Sequence, residues 1–421
     1  MSSEYVLGID QGTTGTTVLV VKFDVHGSQE ILSRETSPVE ITYPKHSWVE
    51  QSLSGIQTSV SMATKKAIES AQLRDPLFNK KKIGSIGFSN QRETITIFDP
   101  KTHTEIRPAI VWQCCRSASI CDDLKIRDTN EKMCRDLTGL LINPYFSGTK
   151  LAWVFANEPE VADKIMSSVA RWGTVDTFLL SWFTAGESYK TECSNASRTL
   201  LFDISRCEFS SKLIQMLGLP EKLVTPQVCE SVDDFGVTKG LGFLPDGIPI
   251  RGVLGDQSAA LLGQGCVHPG DCKCTYGTGA FLLINRGKKR FQPTPNLLET
   301  IAWKINGETY YAEEGSTFIA GAAIDYIKNN LNFISSPEET STLVSTIAAP
   351  KIYFVPSLTG LGAPYWDPSA RGAFLGLDRS STKRELSRAT LEGVAFQVFD
   401  LIKEINTNTK GQGISELSVD G

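Results

Sequence analysis

Two short apolar runs, Val6–Ile9 and Val18–Val21, stand on either side of Asp10-Gln11-Gly12-Thr13-Thr14-Gly15-Thr16-Thr17. β-Branched residues around a Gly/Thr turn predict two strands joined by a tight hairpin, and residues 5–35 predict that hairpin plus a third strand. A helical stretch follows from Leu53 to Ala71, then a short buried strand from Lys82 to Ser89 that breaks into Asn90-Gln91-Arg92-Glu93-Thr94. Residues 115–235 read mainly as helical segments with turns. Ile248–Leu254 makes a new strand ending in Gly255-Asp256-Gln257, with an Ala/Leu-rich helix over Ser258–Gly263. The hairpin pattern then returns, as Cys274-Thr275-Tyr276-Gly277-Thr278-Gly279 leads into the apolar Ala280–Ile284. Leu386, Ala389, Val394, Val398, Ile402 and Ile405 keep helical spacing behind the capping box Thr382-x-x-Glu385, so that face of a helix near 383–405 is core. The expected class is α/β with the domain boundary close to Gly252, giving units 1–252 and 253–421.

The repeated turn carries the first chemical signal. Gly12 and Gly15 allow backbone geometry that a Cβ would obstruct, so consecutive N–H groups can converge on an anion. Thr13 and Thr14 add hydroxyl donors, and Asp10 places a carboxylate at the strand end where Mg²⁺ is held directly or through water. A single Thr-rich hairpin is equally an ordinary turn. Two of them in one chain suggest homologous halves clamping one polyphosphate. The sequence contains no G-x-x-x-x-G-K-[ST] loop and no G-x-G-x-x-G opening a helix, so a hairpin is the expected phosphate grip. The polar run after the Lys82–Ser89 strand lies where open α/β sheets bind ligands.

Composition narrows the choice of partner. The 421 residues carry 42 basic and 47 acidic side chains, a net charge of −5, which disfavours nucleic acid. No apolar run approaches the roughly 20 residues that span a bilayer, so no integral membrane segment is expected. Met1-Ser2-Ser3-Glu4 leads straight into a strand without a signal core, which makes the cytoplasm the expected compartment. Ten cysteines and four histidines form no C-x-x-C pair or metal-ligand spacing and read as reduced, mostly buried thiols and scattered imidazoles.

Several blocks in order resemble the glycerol kinases, within the FGGY carbohydrate kinases of the actin-like ATPase superfamily. They are Asp10–Thr14, Asn90–Thr94, Ala109-Ile110-Val111-Trp112-Gln113-Cys114, Asn143-Pro144-Tyr145-Phe146-Ser147-Gly148-Thr149-Lys150, Gly255–Gln257, Thr275–Gly279 and Thr359–Pro368. The resemblance implies two actin-like (ribonuclease H-like) domains with a cleft between them, and phosphorylation of glycerol by ATP with Mg²⁺ to give sn-glycerol 3-phosphate. It implies that Arg92 donates to the glycerol hydroxyls and Glu93 accepts from them. Gln257 and Tyr145 would add polar contacts, Trp112 and Phe281 would pack on the carbon skeleton, and Asp256 would take the hydroxyl proton. Thr13, Thr14, Gly15 and Thr278 would hold phosphates, Gly321 would let the nucleotide lie against the backbone, and Mg²⁺ would sit near Asp10 and Asp256.

The residue types also admit plainer readings: a surface ion pair for Arg92-Glu93, core packing for Trp112 and Phe281, and a helix N-cap for Asp256. Thr17 stands where many relatives carry arginine, and Asp325 where a glutamine often lies. The loop Lys239–Phe243 lacks the basic, glycine-rich form tied to sugar-bisphosphate inhibition, so that regulation is not carried over. The family continues past Asp420-Gly421, so the second domain is expected to be incomplete, with weak ATP binding. Competing expectations are another FGGY polyol or sugar kinase, and a non-catalytic short form. A homo-oligomer is left open.

Overall fold

The computed structural model describes residues 4–24, 26–345, 352–367, 369–408, 413–414 and 416–421. They form two compact units, Met1–Ala259 with Thr300–Tyr310, and Ala260–Glu299 with Tyr311–Gly421.

The first unit is built on a five-stranded sheet in the order Ile250–Gly255, Ile83–Asn90, Glu4–Gln11, Gly15–Phe23, Gln29–Pro38. Glu4–Gln11 and Ile250–Gly255 both run parallel to Ile83–Asn90, while the strands from Glu4 to Pro38 form an antiparallel meander. Inward residues alternate along the hairpin strands, with Leu7, Ile9, Val18 and Val20 all buried. The helix Leu53–Arg74 covers them through Leu53, Ile56, Val60, Ala63, Ala67 and Ala71. Ser52 caps that helix, its side chain accepting from Gly55 N–H at 3.0 Å. Phe88 joins the same core and meets Phe183 of the helix Val175–Phe183 edge-on at 4.9 Å. A smaller four-stranded sheet orders Glu50–Gln51, Glu105–Ile110, Ile95–Phe98 and Arg171–Gly173.

Gly255 pairs with Asn90 in the main sheet, so Asp256 belongs to the first unit and the division falls after Ala259 rather than at Gly252. The stretch 115–235 is less uniformly helical than expected. It also contributes the short pairs Lys190–Glu192 with Gln227–Cys229 and Phe202–Asp203 with Glu208–Phe209.

The second unit repeats the theme. Its sheet places the Tyr311–Thr317 part of Glu308–Thr317 beside Ala280–Gly287, followed by Cys272–Tyr276 and Ser418–Asp420. Here too a hairpin, closed by the pair Tyr276↔Ala280, has its first strand flanked by a parallel strand from later in the chain. The two Gly-Thr turns therefore mark a repeat of topology as well as of sequence. The helix Lys383–Asn408 buries Ala389, Val394, Val398, Leu401 and Ile405. Its capping box is formed: Thr382 N–H donates to Glu385 Oε2 at 2.9 Å, and Thr382 Oγ1 accepts from Arg384 N–H at 3.2 Å. Among the described residues no helix is long and apolar enough to cross a membrane.

Candidate active site

Register brings the chemistry of the first unit together. Gln11 pairs with Asn90, and Asn90 with Gly255, so three parallel strands end side by side. Neighbouring strands lie about 4.8 Å apart, so the polar residues that follow each strand emerge at one edge of the sheet. Those residues are Gly12-Thr13-Thr14, Gln91-Arg92-Glu93 and Asp256-Gln257. Buried glutamines tie them down. Gln91 Nε2 donates to Gln11 Oε1 at 3.1 Å and to Gln51 Oε1 at 2.9 Å, and Gln91 Oε1 accepts from Thr94 Oγ1 at 2.8 Å.

Arg92 and Glu93 are buried, at 3% and 2% exposure, which excludes a surface ion pair. Each also has another charged partner. Arg92 Nε lies 3.3 Å from Asp256 Oδ1, and Glu93 Oε1 accepts from Arg198 Nε at 2.6 Å. The Arg92 stem lies on Gly255, where a Cβ would fall 2.7 Å from Arg92 Cδ. The backbone is a tight γ-turn, with Thr94 N–H donating to the Arg92 carbonyl at 2.7 Å and Glu93 at φ 60°. A buried non-glycine residue in the left-handed region is strained and must be held by its surroundings. Here Ser147 Oγ donates to the Glu93 carbonyl at 2.9 Å.

Trp112 combines core packing with a polar contact. It is buried core, yet its Nε1 donates to Thr13 Oγ1 at 2.9 Å, and its ring lies 5.7 Å from that of Tyr145 at 71°. Tyr145 is held from its own backbone, since the fully buried Lys150 donates to the Pro144 carbonyl at 2.7 Å and also to that of Tyr145. Burial pulls the Lys150 ammonium down to about 8. Asp256 opens the helix Asp256–Gly263, and its Oδ1 accepts from Gln257 N–H at 2.7 Å. This contact is to the adjacent residue, not to the second or third N–H of the helix that an N-cap would hold. With its side chain one-third exposed (33%), the carboxylate still reaches solvent, whereas Gln257 is buried.

In the first hairpin Gly12 N–H donates to the Gly15 carbonyl at 2.9 Å, leaving Thr13 and Thr14 at the tip. Neither glycine has positive φ. They are small because of close approach: a Cβ on Gly15 would fall 3.0 Å from the Ser37 carbonyl oxygen, and one on Gly12 would fall 3.3 Å from that of Gly15. Asp10 stands at the exposed strand end and accepts from Ser89 Oγ. Its exposed carboxylate is open to a divalent cation. Among the described residues no three His, Cys, Asp or Glu side chains gather as a metal site. A single carboxylate beside the hairpin tip fits Mg²⁺, which keeps waters and uses one or two carboxylates with substrate phosphates.

The second unit holds Thr278, Phe281 and Gly321. The Thr278 carbonyl accepts from Ala320 and Ala322 N–H at 2.8 and 3.1 Å, and Gly321 N–H donates to the Gly277 carbonyl at 2.9 Å. This docks the start of the helix Gly321–Asn329 on the hairpin. A Cβ on Gly321 would lie 2.6 Å from the Gly277 oxygen, so the hairpin–helix approach by itself accounts for glycine there. Phe281 is a buried strand residue opposite Ser316. Gly321→Ala is expected to cost about 1–3 kcal/mol of stability by overpacking. Urea denaturation reads it, and an unchanged midpoint would contradict the close approach.

One segment of the site went unread in the sequence. Glu192-Cys193-Ser194-Asn195-Ala196-Ser197-Arg198 is buried throughout. Ser194 Oγ accepts from Gly255 N–H at 2.9 Å, and Asn195 Oδ1 from Asn90 Nδ2 at 2.9 Å. Burial pushes the Glu192 carboxyl up to about 7. A run of short polar residues looks like a surface turn, and only its burial distinguishes it.

Residues 5–263 match the FGGY family of carbohydrate kinases, N-terminal domain, and residues 272–421 match the C-terminal domain of that family. The chain belongs to the FGGY carbohydrate kinases. Its fold is accordingly their two-domain, actin-like α/β fold. It is 42% identical to a glycerol kinase of Bdellovibrio bacteriovorus over 421 residues, which is all of this chain and 83% of that one. It is 41% identical to a glycerol kinase of Myxococcus xanthus, again over all of this chain and 83% of the other. Among solved structures, glycerol kinase of Plasmodium falciparum with ADP aligns at TM-score 0.83 and 31% identity, covering 99% of this chain and 81% of that one. A gluconate kinase from Lactobacillus acidophilus, at TM-score 0.79 and 20% identity over 100% of this chain and 82% of that one, shares the fold.

Proposed function

We propose that this FGGY kinase phosphorylates glycerol with ATP, and that the first unit carries the base and the polar contacts to the alcohol. The observation that carries the reading is the buried Arg92 reaching Asp256 at 3.3 Å, with the buried Glu93 next to it in the same turn. A donor, an acceptor and a partly solvent-exposed carboxylate are what a small polyol needs when one of its hydroxyls must also lose a proton. The relatives named glycerol kinase, 38–42% identical along the chain, support this substrate over a pentose or gluconate.

In the proposed reaction a terminal hydroxyl of glycerol attacks the γ-phosphorus in line, the bond to the bridging oxygen of ADP breaks, and the hydroxyl proton passes to Asp256 late in the step. Arg92 donates to the hydroxyls and keeps positive charge beside Asp256. Glu93 accepts from a hydroxyl, and Tyr145 and Gln257 add polar contacts. Trp112 and Phe281 pack on carbon, Trp112 while also fixing Thr13. Thr13, Thr14, Gly15 and Thr278 hold phosphates, and Gly321 keeps the second hairpin close to its helix. Asp10 and Asp256 would hold Mg²⁺, which would neutralise phosphate charge. The ten free cysteines support action in the reducing cytosol.

The test is a substrate panel with purified protein, following ADP release with glycerol, xylulose and gluconate at equal concentration. Glycerol is expected to give the highest kcat/KM. Faster turnover of either other compound would overturn the assignment.

A further inference from the structure

A guanidinium taken wholly out of water is expensive unless its charge is met and its orientation used. Arg198 is fully buried in the first unit. Its Nε donates to Glu93 Oε1 at 2.6 Å, and its guanidinium carbon lies 5.5 Å from the ring centre of Tyr145 and 5.2 Å from that of Phe146. One side chain thus touches both Glu93 and Tyr145. Glu93 needs such a clamp, because its backbone at φ 60° is not the conformation a free glutamate would choose. The segment bearing Arg198 is itself anchored. Glu192 Oε2 accepts from Ser194 N–H at 2.7 Å and Asn195 N–H at 3.2 Å, and Ser197 Oγ meets Thr300 Oγ1 at 2.9 Å.

We propose that Arg198 is a positioning residue that sets alcohol specificity, fixing the Glu93 carboxylate and the Tyr145 ring so that a triol is read and a diol refused. The inference rests on the assignment of Glu93 as the acceptor of a glycerol hydroxyl. The planar fork of arginine matters here: it binds carboxylate along one edge while its delocalised charge lies within cation–π range of an aromatic ring, a combination that the compact lysine ammonium reproduces only in part.

The experiment uses the full chain with Arg198→Met, Arg198→Lys and Glu93→Gln, and the double change Arg198→Met with Glu93→Gln. Arg198→Met is expected to raise the glycerol KM about 10- to 100-fold, the scale of a lost charged hydrogen bond. The ATP KM should stay within about twofold, and the preference for glycerol over 1,2-propanediol should shrink by a similar factor. Arg198→Lys should recover part of the loss. In the Glu93→Gln background Arg198→Met should add little, because the two act through one carboxylate. The proposal is overturned if Arg198→Met leaves the glycerol KM unchanged, if it raises both KM values together, or if its effect is the same with Glu93→Gln present. An unchanged glycerol KM in Glu93→Gln alone would instead sink the assignment of Glu93. Should Arg198→Met fail to fold, Arg198→Lys decides: a rise in glycerol KM without one in ATP KM supports the role, and no rise overturns it.

Discussion

Asp256→Asn is expected to lower kcat by about 10²–10⁴, the usual loss when a general base is removed, while glycerol binds almost as before. The separation follows from the geometry. Asparagine keeps an oxygen where Asp256 Oδ1 now accepts from Gln257 N–H at 2.7 Å, so the residue stays in place. Proton acceptance is lost, together with the negative charge 3.3 Å from Arg92 Nε. Arg92 remains buried against Gly255, and on the proposed reading its donation to glycerol is kept. Steady-state kinetics and calorimetric titration of glycerol separate the two effects. A variant within about threefold of its parent in kcat would remove Asp256 from the base role, and a matching loss of glycerol affinity would make it a binding residue instead.

How much of this was legible without coordinates depended on the distance over which each feature is encoded. The hairpins, the Leu53 helix and the strand ends are local patterns, and the structure places them within a few residues of expectation. The capping box at Thr382 is likewise local, and it forms. Strand pairing is not local. Nothing near Gly252 says that Ile250–Gly255 pairs with Ile83–Asn90 in the first sheet. The glycines misled for a related reason. Gly15 and Gly321 read in the sequence as making room for a bound anion or nucleotide, but a carbonyl from another segment already lies against each of them. The buried run Glu192–Arg198 was passed over since Ser and Asn ordinarily mark turns. Its partners, Asn90, Glu93 and Gly255, are far from it in sequence.

The largest effect is expected in alcohol discrimination. Glycerol and 1,2-propanediol differ by one hydroxyl, and kcat/KM for the diol should be lower by about 10⁴–10⁵. That magnitude separates two kinds of site. An apolar pocket that merely lost a small contact would discriminate by about 10–200-fold, the worth of a methylene. A site whose charged groups are buried loses far more, because the missing hydroxyl leaves them dehydrated and unmatched. Arg92 and Glu93, at 3% and 2% exposure, put this site in the second class. Glu93→Ala should then slow glycerol more than the diol, bringing their ratio down toward the lower range, with the ATP KM unchanged. The comparison is internal to one protein preparation, so a loss of folded enzyme cancels in the ratio. A wild-type ratio below about 200 would show that shape alone reads the alcohol. A ratio that survives Glu93→Ala would move the discriminating contact to Arg92, whose guanidinium is the other buried charge at the strand end.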